Sequence, residues 1–229
     1  MYKIQTYNSL AAKGLDRFSP GKYHVGPEES DADALMLRSH KLHDETIDES
    51  VIAVARAGAG VNNIPVDEYA QRGIVVFNTP GANANAVKEL VAAALLLGSR
   101  DIFGGMSYVQ TLGDIQDSTQ MHKLLEANKK RFAGSEIAGL TLGVVGLGAI
   151  GAMVANMALE LGMKVAGFDP AISIESAWRL SSRVEKVNSL QALVGKSDFV
   201  TLHVPAIPAT LGLINEDILA RFKPGTRLL

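Results

Sequence analysis

Short apolar runs alternate with longer polar or helical stretches along this chain, a pattern typical of α/β proteins with parallel sheets. The first series of runs predicts four buried strands, at residues 4–7, 34–37, 52–55 and 75–77. After a long helical stretch, a second series predicts five more, at residues 142–145, 165–168, 184–187, 199–204 and 226–229. We therefore expect two α/β units, one after the other along the chain.

Apolar residues that recur every three or four positions predict the helices between these strands. The longest such stretch, residues 83–108, is apolar almost all round, so we expect it to be buried on several sides. Gly104 and Gly105 are expected to end or kink it. Residues 111–136 are mixed in charge and poor in apolar side chains, which favours an arm or a surface helix. Four shorter helices are predicted at residues 65–72, 172–181, 190–194 and 215–222.

Some side chains in these segments could have a functional role, but each has a simpler explanation. The basic run 129–131 is interpreted as a solvated face, with a subunit contact as the alternative. Trp178 is expected to pack against the protein rather than to stack on a cofactor. No carboxylate stands near His203 at the spacing of a catalytic motif, so we interpret it as a packed histidine hydrogen-bonded to a loop.

The most specific pattern in the chain begins at Thr141. Gly146, Gly148 and Gly151 follow a buried strand at G-x-G-x-x-G spacing and open a helix, as in domains that bind dinucleotides. The first glycine permits a tight turn, the second lets the backbone approach a pyrophosphate, and the third lets the helix pack close to the strand. The phosphates of the ligand then lie over the helix N-terminus, where N–H groups face them.

Asp169 ends the next predicted strand, 18 residues after Gly151 (169 − 151 = 18). An acid at about this spacing accepts hydrogen bonds from the ribose hydroxyls of the cofactor, and its charge repels a 2′-phosphate. The pattern therefore favours NAD over NADP. A tight turn in another kind of doubly wound domain is the alternative, and it leaves Asp169 unexplained.

A second candidate site is the loop after the strand at 52–55. Its residues are Arg56, Ala57, Gly58, Ala59 and Gly60. Ligands of open α/β sheets bind beyond the carboxyl ends of strands. Small residues leave the backbone N–H groups of this loop approachable by a carboxylate, and the arginine adds a bidentate cation for an acidic substrate. The alternative is a glycine-rich turn whose arginine forms a structural ion pair, and the spacing does not decide between the two.

Composition narrows the class of protein. With 22 Lys and Arg against 24 Asp and Glu, the net charge is −2, which gives no reason to expect a nucleic acid or an anionic membrane as partner. The chain has no cysteine, which excludes disulfide and thiolate chemistry within it. Its first residues lack the apolar core of a secretory signal, and its most apolar helical stretch is too short for a bilayer. We expect a cytoplasmic protein, and we assign no metal ligands.

Five segments resemble those of one family and follow its order along the chain. They are ARAGAGVNNIPVDEYAQRGIVVFNTPGANANAVKELV (55–91), GLTLGVVGLGAIG (139–151), VAGFDP (165–170), DFVTLHVPAIPATLGLIN (198–215) and FKPGTRLL (222–229). On these segments the chain resembles the D-isomer-specific 2-hydroxyacid dehydrogenases, most closely their phosphoglycerate dehydrogenase branch. The resemblance implies a Rossmann-type doubly wound parallel sheet domain at residues 96–229, incomplete at its C-terminus. It also implies a smaller flavodoxin-like α/β substrate domain, of which residues 1–95 are the N-terminal portion.

The family's binding positions are carried over where its motifs match this chain. The pyrophosphate turn matches Gly146, Gly148, Ala149, Ile150 and Gly151, and the ribose acid matches Asp169. The loop beneath the adenine matches Val204, Pro205 and Thr210. The loop that holds the acidic groups of the substrate matches Arg56, Ala57, Gly58 and Ala59, and Asn83 matches a position that lines the cleft. Asn62 departs from the pattern, since many relatives have aspartate there.

The family's catalytic arginine, glutamate and histidine follow the strand after the KPG motif, and none lies within residues 1–229. Arg227 precedes that segment and does not replace the arginine. We therefore expect a truncated enzyme, inactive by itself, with a naturally short NAD(H)-binding module as the alternative.

The resemblance implies that the complete protein oxidises a D-2-hydroxy acid with NAD. The expected reaction is 3-phospho-D-glycerate to 3-phosphooxypyruvate in serine biosynthesis, with reduction of glyoxylate, hydroxypyruvate or another 2-oxoacid as the alternative. The resemblance also implies a homodimer or homotetramer.

Overall fold

The computed structural model describes residues 1–229 and divides them into two units. The first unit comprises Met1–Asn83 and Pro205–Pro208, and the second comprises Ala84–Val204 and Ala209–Leu229. The boundary after Asn83 lies 12 residues before the expected one at residue 95 (95 − 83 = 12). Val91 and Leu95 account for the difference, because both side chains are buried in the core of the second unit.

The first unit contains a five-stranded parallel sheet of order β2-β1-β3-β4-β5. Its strands are β1 (Tyr2–Thr6), β2 (Tyr23–Gly26), β3 (Ala34–Leu37), β4 (Ala53–Arg56) and β5 (Val75–Phe77), and its helices are α1 (Ala12–Leu15) and α2 (Val66–Gln71). This is the strand order of flavodoxin-like sheets, which confirms the expected fold class. The hydrophobic pattern does not predict β2, because this edge strand has the sequence YHVG and no fully buried side chain.

The second unit contains a five-stranded parallel sheet of order β10-β9-β6-β7-β8. Its strands are β6 (Thr141–Val145), β7 (Lys164–Phe168), β8 (Glu185–Lys186), β9 (Phe199–Leu202) and β10 (Arg227–Leu228). Its helices are α3 (Ala84–Ser99), α4 (Ile102–Gln110), α5 (Ser118–Asn128), α6 (Ala149–Glu160), α7 (Ile174–Trp178), α8 (Leu190–Lys196) and α9 (Glu216–Leu219). Numbered from β6, the order from β8 to β10 is 3-2-1-4-5, as in doubly wound dinucleotide-binding sheets.

Both faces of the second sheet are covered by helices. Val144 lies in a core cluster with residues of α3 and α6, whereas its neighbour Val145 lies in a separate cluster with residues of α8. Successive side chains of a strand point to opposite faces, so strands covered on both faces are continuous apolar runs. This is why the sequence of β6 shows no alternation of polar and apolar residues.

The apolar stretch at 83–108 forms two helices rather than one. The break lies at Arg100 and Asp101, where the Asp101 carboxylate accepts a hydrogen bond from Gly104 N at 2.8 Å and caps α4. Our prediction of a break at Gly104-Gly105 was therefore wrong, since both glycines lie inside α4. No single helix here is long and apolar enough to cross a membrane; α3 and α4 reach that length and composition only as a pair, bent by 71°.

The expected burial of this stretch on several sides is only partly met within the chain. One face of α3 is buried, but Leu90 is 69% exposed, and on α4 Phe103 is 65% exposed. No residue of α4 is buried. An apolar surface of this kind is available for contact with another molecule.

The segment 111–136 contains the exposed helix α5, followed by a 3₁₀ turn (Lys129–Phe132). Neither has a buried residue, which agrees with the predicted arm or surface helix. The Arg131 guanidinium lies over the rings of Tyr108 and Phe132, and Lys129 pairs with Glu126 at 2.5 Å.

Trp178 does not pack against the protein as expected, since it is 85% exposed. Helix α7 is held to α6 by its C-terminal end, where the Asn156 side chain bonds to Arg179 O at 2.8 Å and Ser181 N at 3.0 Å. Ile174, one turn before Trp178 on the same face, is 79% exposed as well. The apolar face of α7 therefore points away from the core.

Candidate functional site

The glycine loop of the second unit joins β6 to α6 and is built for close packing at its first and third glycines. Gly146 has φ +87°, and a Cβ there would lie 2.6 Å from His203 O and 2.9 Å from Val204 Cγ1. A Cβ on Gly151 would lie 1.8 Å from Gly146 O. The fold itself therefore requires glycine at both positions.

Gly148 differs from the other two, because nothing in the protein requires it to be glycine. Its φ of −67° is open to any residue, and no heavy atom lies within 4 Å of the place a Cβ would occupy. It is the N-cap of α6, and no side chain caps that helix. A ligand whose phosphates approach the loop backbone would explain the missing side chain, so the loop fits a dinucleotide.

Asp169 follows β7 directly and lies beside the glycine loop. Its Oδ2 accepts a hydrogen bond from Leu147 N at 2.8 Å, and its Oδ1 accepts one from Ala171 N at 2.9 Å. The carboxylate is half-buried and held by two backbone donors. Each oxygen retains a lone pair for a further donor, so the group fits a ribose diol.

The end of β9 lies next to the glycine loop. β6 and β9 are adjacent in the sheet, and His203 N donates to Val145 O at 2.8 Å. Val204 follows and faces Gly146, as the Cβ distance above shows. The strand order reverses between β6 and β9, which is where ligands of doubly wound sheets bind.

The other predicted cofactor-binding residues are Ala149, Ile150, Pro205 and Thr210. Ala149 and Ile150 form the half-exposed first turn of α6. Thr210 is half-exposed, and its carbonyl accepts from Leu213 N at 3.2 Å. Pro205 is exposed and belongs by its contacts to the first unit.

His203 is half-buried, and its Nε2 is 3.0 Å from Thr201 Oγ1. Its hydrogen-bond partner is thus a strand side chain rather than a loop, which corrects that part of the interpretation. Burial lowers the pKa of the His203 imidazole below its ordinary value, because desolvation penalises the charged form. We therefore treat it as neutral at pH 7.

In the first unit, Arg56 ends β4 and its Nε donates to Arg38 O at 2.9 Å. No carboxylate lies within ion-pair distance of its guanidinium. The alternative of a structural ion pair is therefore wrong. The guanidinium lies over its own loop, since a Cβ on Gly60 would be 2.9 Å from Arg56 Nη1.

The backbone of the Arg56 loop is less available than predicted. Ala57 N donates to Leu37 O at 2.8 Å, and Gly58 N donates to Arg56 O at 2.9 Å. These two N–H groups are therefore occupied within the protein. Ala59 is exposed, and its carbonyl is held by Asn78 Nδ2 at 2.7 Å.

Asn83 is exposed and directly precedes α3 at the end of the first unit. Asn62, the departure from the family pattern, accepts a hydrogen bond from His43 Nε2 on its backbone carbonyl at 3.0 Å. Arg227 opens β10 at the amino edge of its sheet, with its guanidinium 5.1 Å from the centre of the Phe199 ring. That edge is opposite the glycine loop.

The sequence pattern placed Arg38 and Ser39 at the carboxyl end of β3, but it did not single out Asn8 after β1 or the neighbouring His40. Asn8 has φ 64°, and its Oδ1 accepts from Ser39 N at 2.9 Å and His40 N at 2.7 Å. The His40 ring stacks on Tyr7 with centroids 4.2 Å apart, and its Nε2 is 2.6 Å from Glu45 Oε1. Of these residues, only Asn8 could be suspected from the sequence, because asparagine tolerates positive φ in turns.

Comparison with known proteins supports this geometry. Residues 105–229, which are 125 of the 229 residues (229 − 104 = 125), match the family D-isomer specific 2-hydroxyacid dehydrogenase, NAD binding domain. The chain is 37% identical over 200 residues to the D-3-phosphoglycerate dehydrogenase of Synechocystis sp., a match that covers 86% of this chain and 33% of that protein. It is 37% identical over 196 residues to the D-3-phosphoglycerate dehydrogenase of Methanocaldococcus jannaschii, covering 84% of this chain and 34% of that protein.

Among solved structures, the TT0316 protein from Thermus thermophilus superposes with a TM-score of 0.76 at 26% identity, covering 99% of this chain and 72% of that protein. In length, the chain spans about a third of the curated relatives it matches.

Proposed function

The chain belongs to the D-isomer specific 2-hydroxyacid dehydrogenase family, with NAD as its cofactor, and we propose that its two units bind the acid and the cofactor for one reaction. The reaction proposed is the oxidation of 3-phospho-D-glycerate to 3-phosphooxypyruvate, the step that leads toward serine. The proposed binding of the cofactor rests on Gly148, because a ligand at the loop backbone explains why this residue has no side chain. The curated relatives at 37% identity support the choice of acid.

On the cofactor side, the residues of this chain bind and orient. The first turn of α6 would hold the pyrophosphate, and Asp169 would accept the ribose hydroxyls while repelling a 2′-phosphate. Val204, Pro205 and Thr210 would line the adenine side. NAD supplies the hydride acceptor when it is bound.

On the substrate side, Arg56 would hold an acidic group, assisted by the exposed Ala59 and by Asn83. A guanidinium without a carboxylate partner is suited to a carboxylate or phosphate ligand, because its charge is not already neutralised. The resemblance implies an arginine that orients the substrate and a histidine acid/base held by a glutamate, and none of the three is among residues 1–229. These residues therefore contribute binding and orientation rather than proton transfer.

The test uses two titrations of the 229-residue chain. A fluorescence titration should show that the chain binds NADH more tightly than NADPH. Gly148→Ala should abolish or greatly weaken the binding of NADH. Nuclear magnetic resonance should show shifts at Arg56 on addition of 3-phospho-D-glycerate, larger than those with D-lactate or glyoxylate. Equal shifts with D-lactate would reject the phosphorylated substrate, and no NADH binding would reject the proposal as a whole.

We also propose that the protein is a homodimer that uses α4. Phe103, Met106 and Val109 on this helix are each more than half exposed, and a groove of about 300 Å³ lies between α4, α5 and the 3₁₀ turn. An exposed apolar set of this kind is costly in water unless another surface covers it. Sedimentation analysis should give a dimer that Phe103→Glu dissociates, and a monomeric unsubstituted chain would reject the proposal.

We also propose a cytoplasmic location, because the NAD-dependent oxidation of a phosphorylated acid requires a compartment that contains both NAD and that acid. Fractionation of the native cells, with blotting for this chain, would test it.

A further inference from the structure

Two loops of the first unit, after β3 and after β4, are joined by hydrogen bonds around the carbonyl of Arg38. That oxygen accepts from Arg56 Nε at 2.9 Å and from Asn63 Nδ2 at 3.5 Å. The side-chain Nδ2 of the buried Asn63 also donates to His40 O at 2.6 Å, and the backbone carbonyl of Asn63 accepts from Leu42 N at 2.9 Å. The position of the Arg56 side chain therefore depends on the conformation of the loop after β3.

Asn8 fixes this loop from the strand on its other side. Its Oδ1 accepts the N–H groups of Ser39 at 2.9 Å and His40 at 2.7 Å. Both partners are donors, so the carbonyl end of the carboxamide must face them. The backbone of Asn8 is left-handed, with φ 64°, which asparagine adopts more readily than most residues.

The contact between Asn8 and the loop after β3 lies where the strand order of the sheet reverses. β1 and β3 are adjacent, and the connections from β1 and from β3 leave toward opposite sides of the sheet. Ligands of open α/β sheets bind at such a switch point, outside the carboxyl ends of the strands. Asn8 spans the two strand ends there and leaves Ser39 and His40 little freedom to move.

We propose that Asn8 is a positioning residue for acid binding. It fixes the backbone of Ser39 and His40, thereby fixes the carbonyl of Arg38, and through that carbonyl orients Arg56. This inference rests on the proposed role of Arg56 as the cation that holds the substrate. Asn8 acts through the loop and is not itself assigned a contact with the acid.

A first experiment needs no ligand and uses hydrogen exchange by nuclear magnetic resonance on the 229-residue chain. Asn8→Gly keeps the left-handed backbone and loses the oxygen, whereas Asn8→Asp keeps an acceptor. Asp31→Gly is the matched control, since Asp31 is the other non-glycine residue at positive φ in the chain, at 51°. We expect Asn8→Gly to speed exchange of the Arg56 Nε–H and of the Ser39 and His40 amides by about tenfold, with Asn8→Asp and Asp31→Gly near the unsubstituted chain.

Exchange at Arg56 decides the positioning role, because a merely structural role of Asn8 would lower the melting temperature without a selective effect there. An unchanged Arg56 Nε–H in Asn8→Gly would overturn the proposal, even if Ser39 and His40 exchange faster. Asn8→Ser, whose shorter side chain cannot span both N–H groups, gives the same comparison if Asn8→Gly does not fold.

A second experiment titrates 3-phospho-D-glycerate into the same variants. We expect Asn8→Gly to weaken binding by about three- to tenfold and Asp31→Gly to leave it unchanged. Full affinity in Asn8→Gly would overturn the link between Asn8 and acid binding. If the unsubstituted chain does not bind this acid, the proposed substrate fails, while the exchange experiment still decides whether Asn8 orients Arg56.

Discussion

The two sheets of this chain are built alike at the amino ends of their strands. In each, an aspartate stands directly before a central strand and accepts a hydrogen bond from a backbone N–H at the start of the neighbouring strand. Asp33 Oδ2 accepts from Lys3 N at 2.7 Å before β3, and Asp198 Oδ2 accepts from Thr141 N at 2.8 Å before β9. The backbone of each aspartate also donates to the carbonyl of that same partner, at 2.9 and 2.8 Å.

The carboxyl ends of the two sheets differ. The first strand of each sheet leads to a residue at positive φ, Asn8 in one unit and Gly146 in the other. Asn8 uses its side chain to close the turn onto the next loop, whereas Gly146 has no side chain and allows close packing against His203. The shared amino ends serve the architecture, whereas the carboxyl ends carry the residues proposed to bind an acid in one unit and a dinucleotide in the other.

The largest expected effect is on the glycine loop itself. Gly151→Ala places a Cβ 1.8 Å from Gly146 O, a backbone atom that cannot move without opening the turn. We expect a loss of about 3 kcal/mol or more in the free energy of unfolding, measured by urea titration. Gly14→Ala is the control, since nothing lies within 4 Å of its added Cβ. Similar stabilities for the two variants would show that the turn can relax.

Gly148→Ala should separate binding from stability in the same loop. No protein atom meets the added Cβ, so we expect a change in unfolding free energy within about 1 kcal/mol, the usual range for a helix N-cap. NADH affinity should fall at least about tenfold, because the methyl group would occupy the space proposed for the pyrophosphate. Fluorescence titration gives the affinity, and an unchanged value would place the cofactor elsewhere.

Arg56→Ala tests the corresponding feature of the first unit. Removing the unpaired guanidinium should weaken 3-phospho-D-glycerate binding about tenfold and leave NADH binding unchanged. Arg72→Ala, which removes an arginine that faces Glu68 on α2, is the matched control and should have little effect on either ligand. Equal losses in the two variants would point to a general charge effect rather than a site.

Much of this comparison could be predicted from the sequence. The apolar runs locate the buried strands, and the glycine spacing locates the tight turn between β6 and α6 that is proposed to bind the dinucleotide, because these features depend on local packing. The role of Asn8 could not be predicted, since its partner His40 lies 32 residues away in the chain and the two meet only through the sheet order. The exposed Trp178 was missed for a related reason: which face of a one-turn helix meets the core is set by distant Asn156.

Asp169→Ala should have a smaller effect than the glycine substitutions, because it removes hydrogen bonds rather than space. NADH should bind several-fold more weakly, and the preference for NADH over NADPH should narrow as the repulsion of the 2′-phosphate is lost. The same carboxylate holds Leu147 N and Ala171 N, so Asp169→Asn, which can keep the bond to Leu147 N but not both bonds, tests the charge with the glycine loop still held. Preference retained in both variants would contradict the assignment of this acid.

The smallest expected effect is on stability, at the aspartates of the shared amino ends. Burial alone would raise the pKa of Asp198, but hydrogen bonds from Lys223 Nζ at 2.6 Å and from Thr141 N outweigh it, so the pKa lies below its ordinary value. A lowered native pKa stabilises the fold above the ordinary carboxyl pKa, and this contribution is lost as the pH falls through the native value. Asp198→Asn should therefore cost about 1 kcal/mol at pH 7 and progressively less below about pH 4. Asp33→Asn is the comparison at pH 7, because Asp33 has the same backbone contact without a lysine partner, and we expect a smaller loss of stability in its urea unfolding curve. An equal loss at pH 7 in both variants would show that the backbone contact, and not the Lys223 pair, supplies the stability.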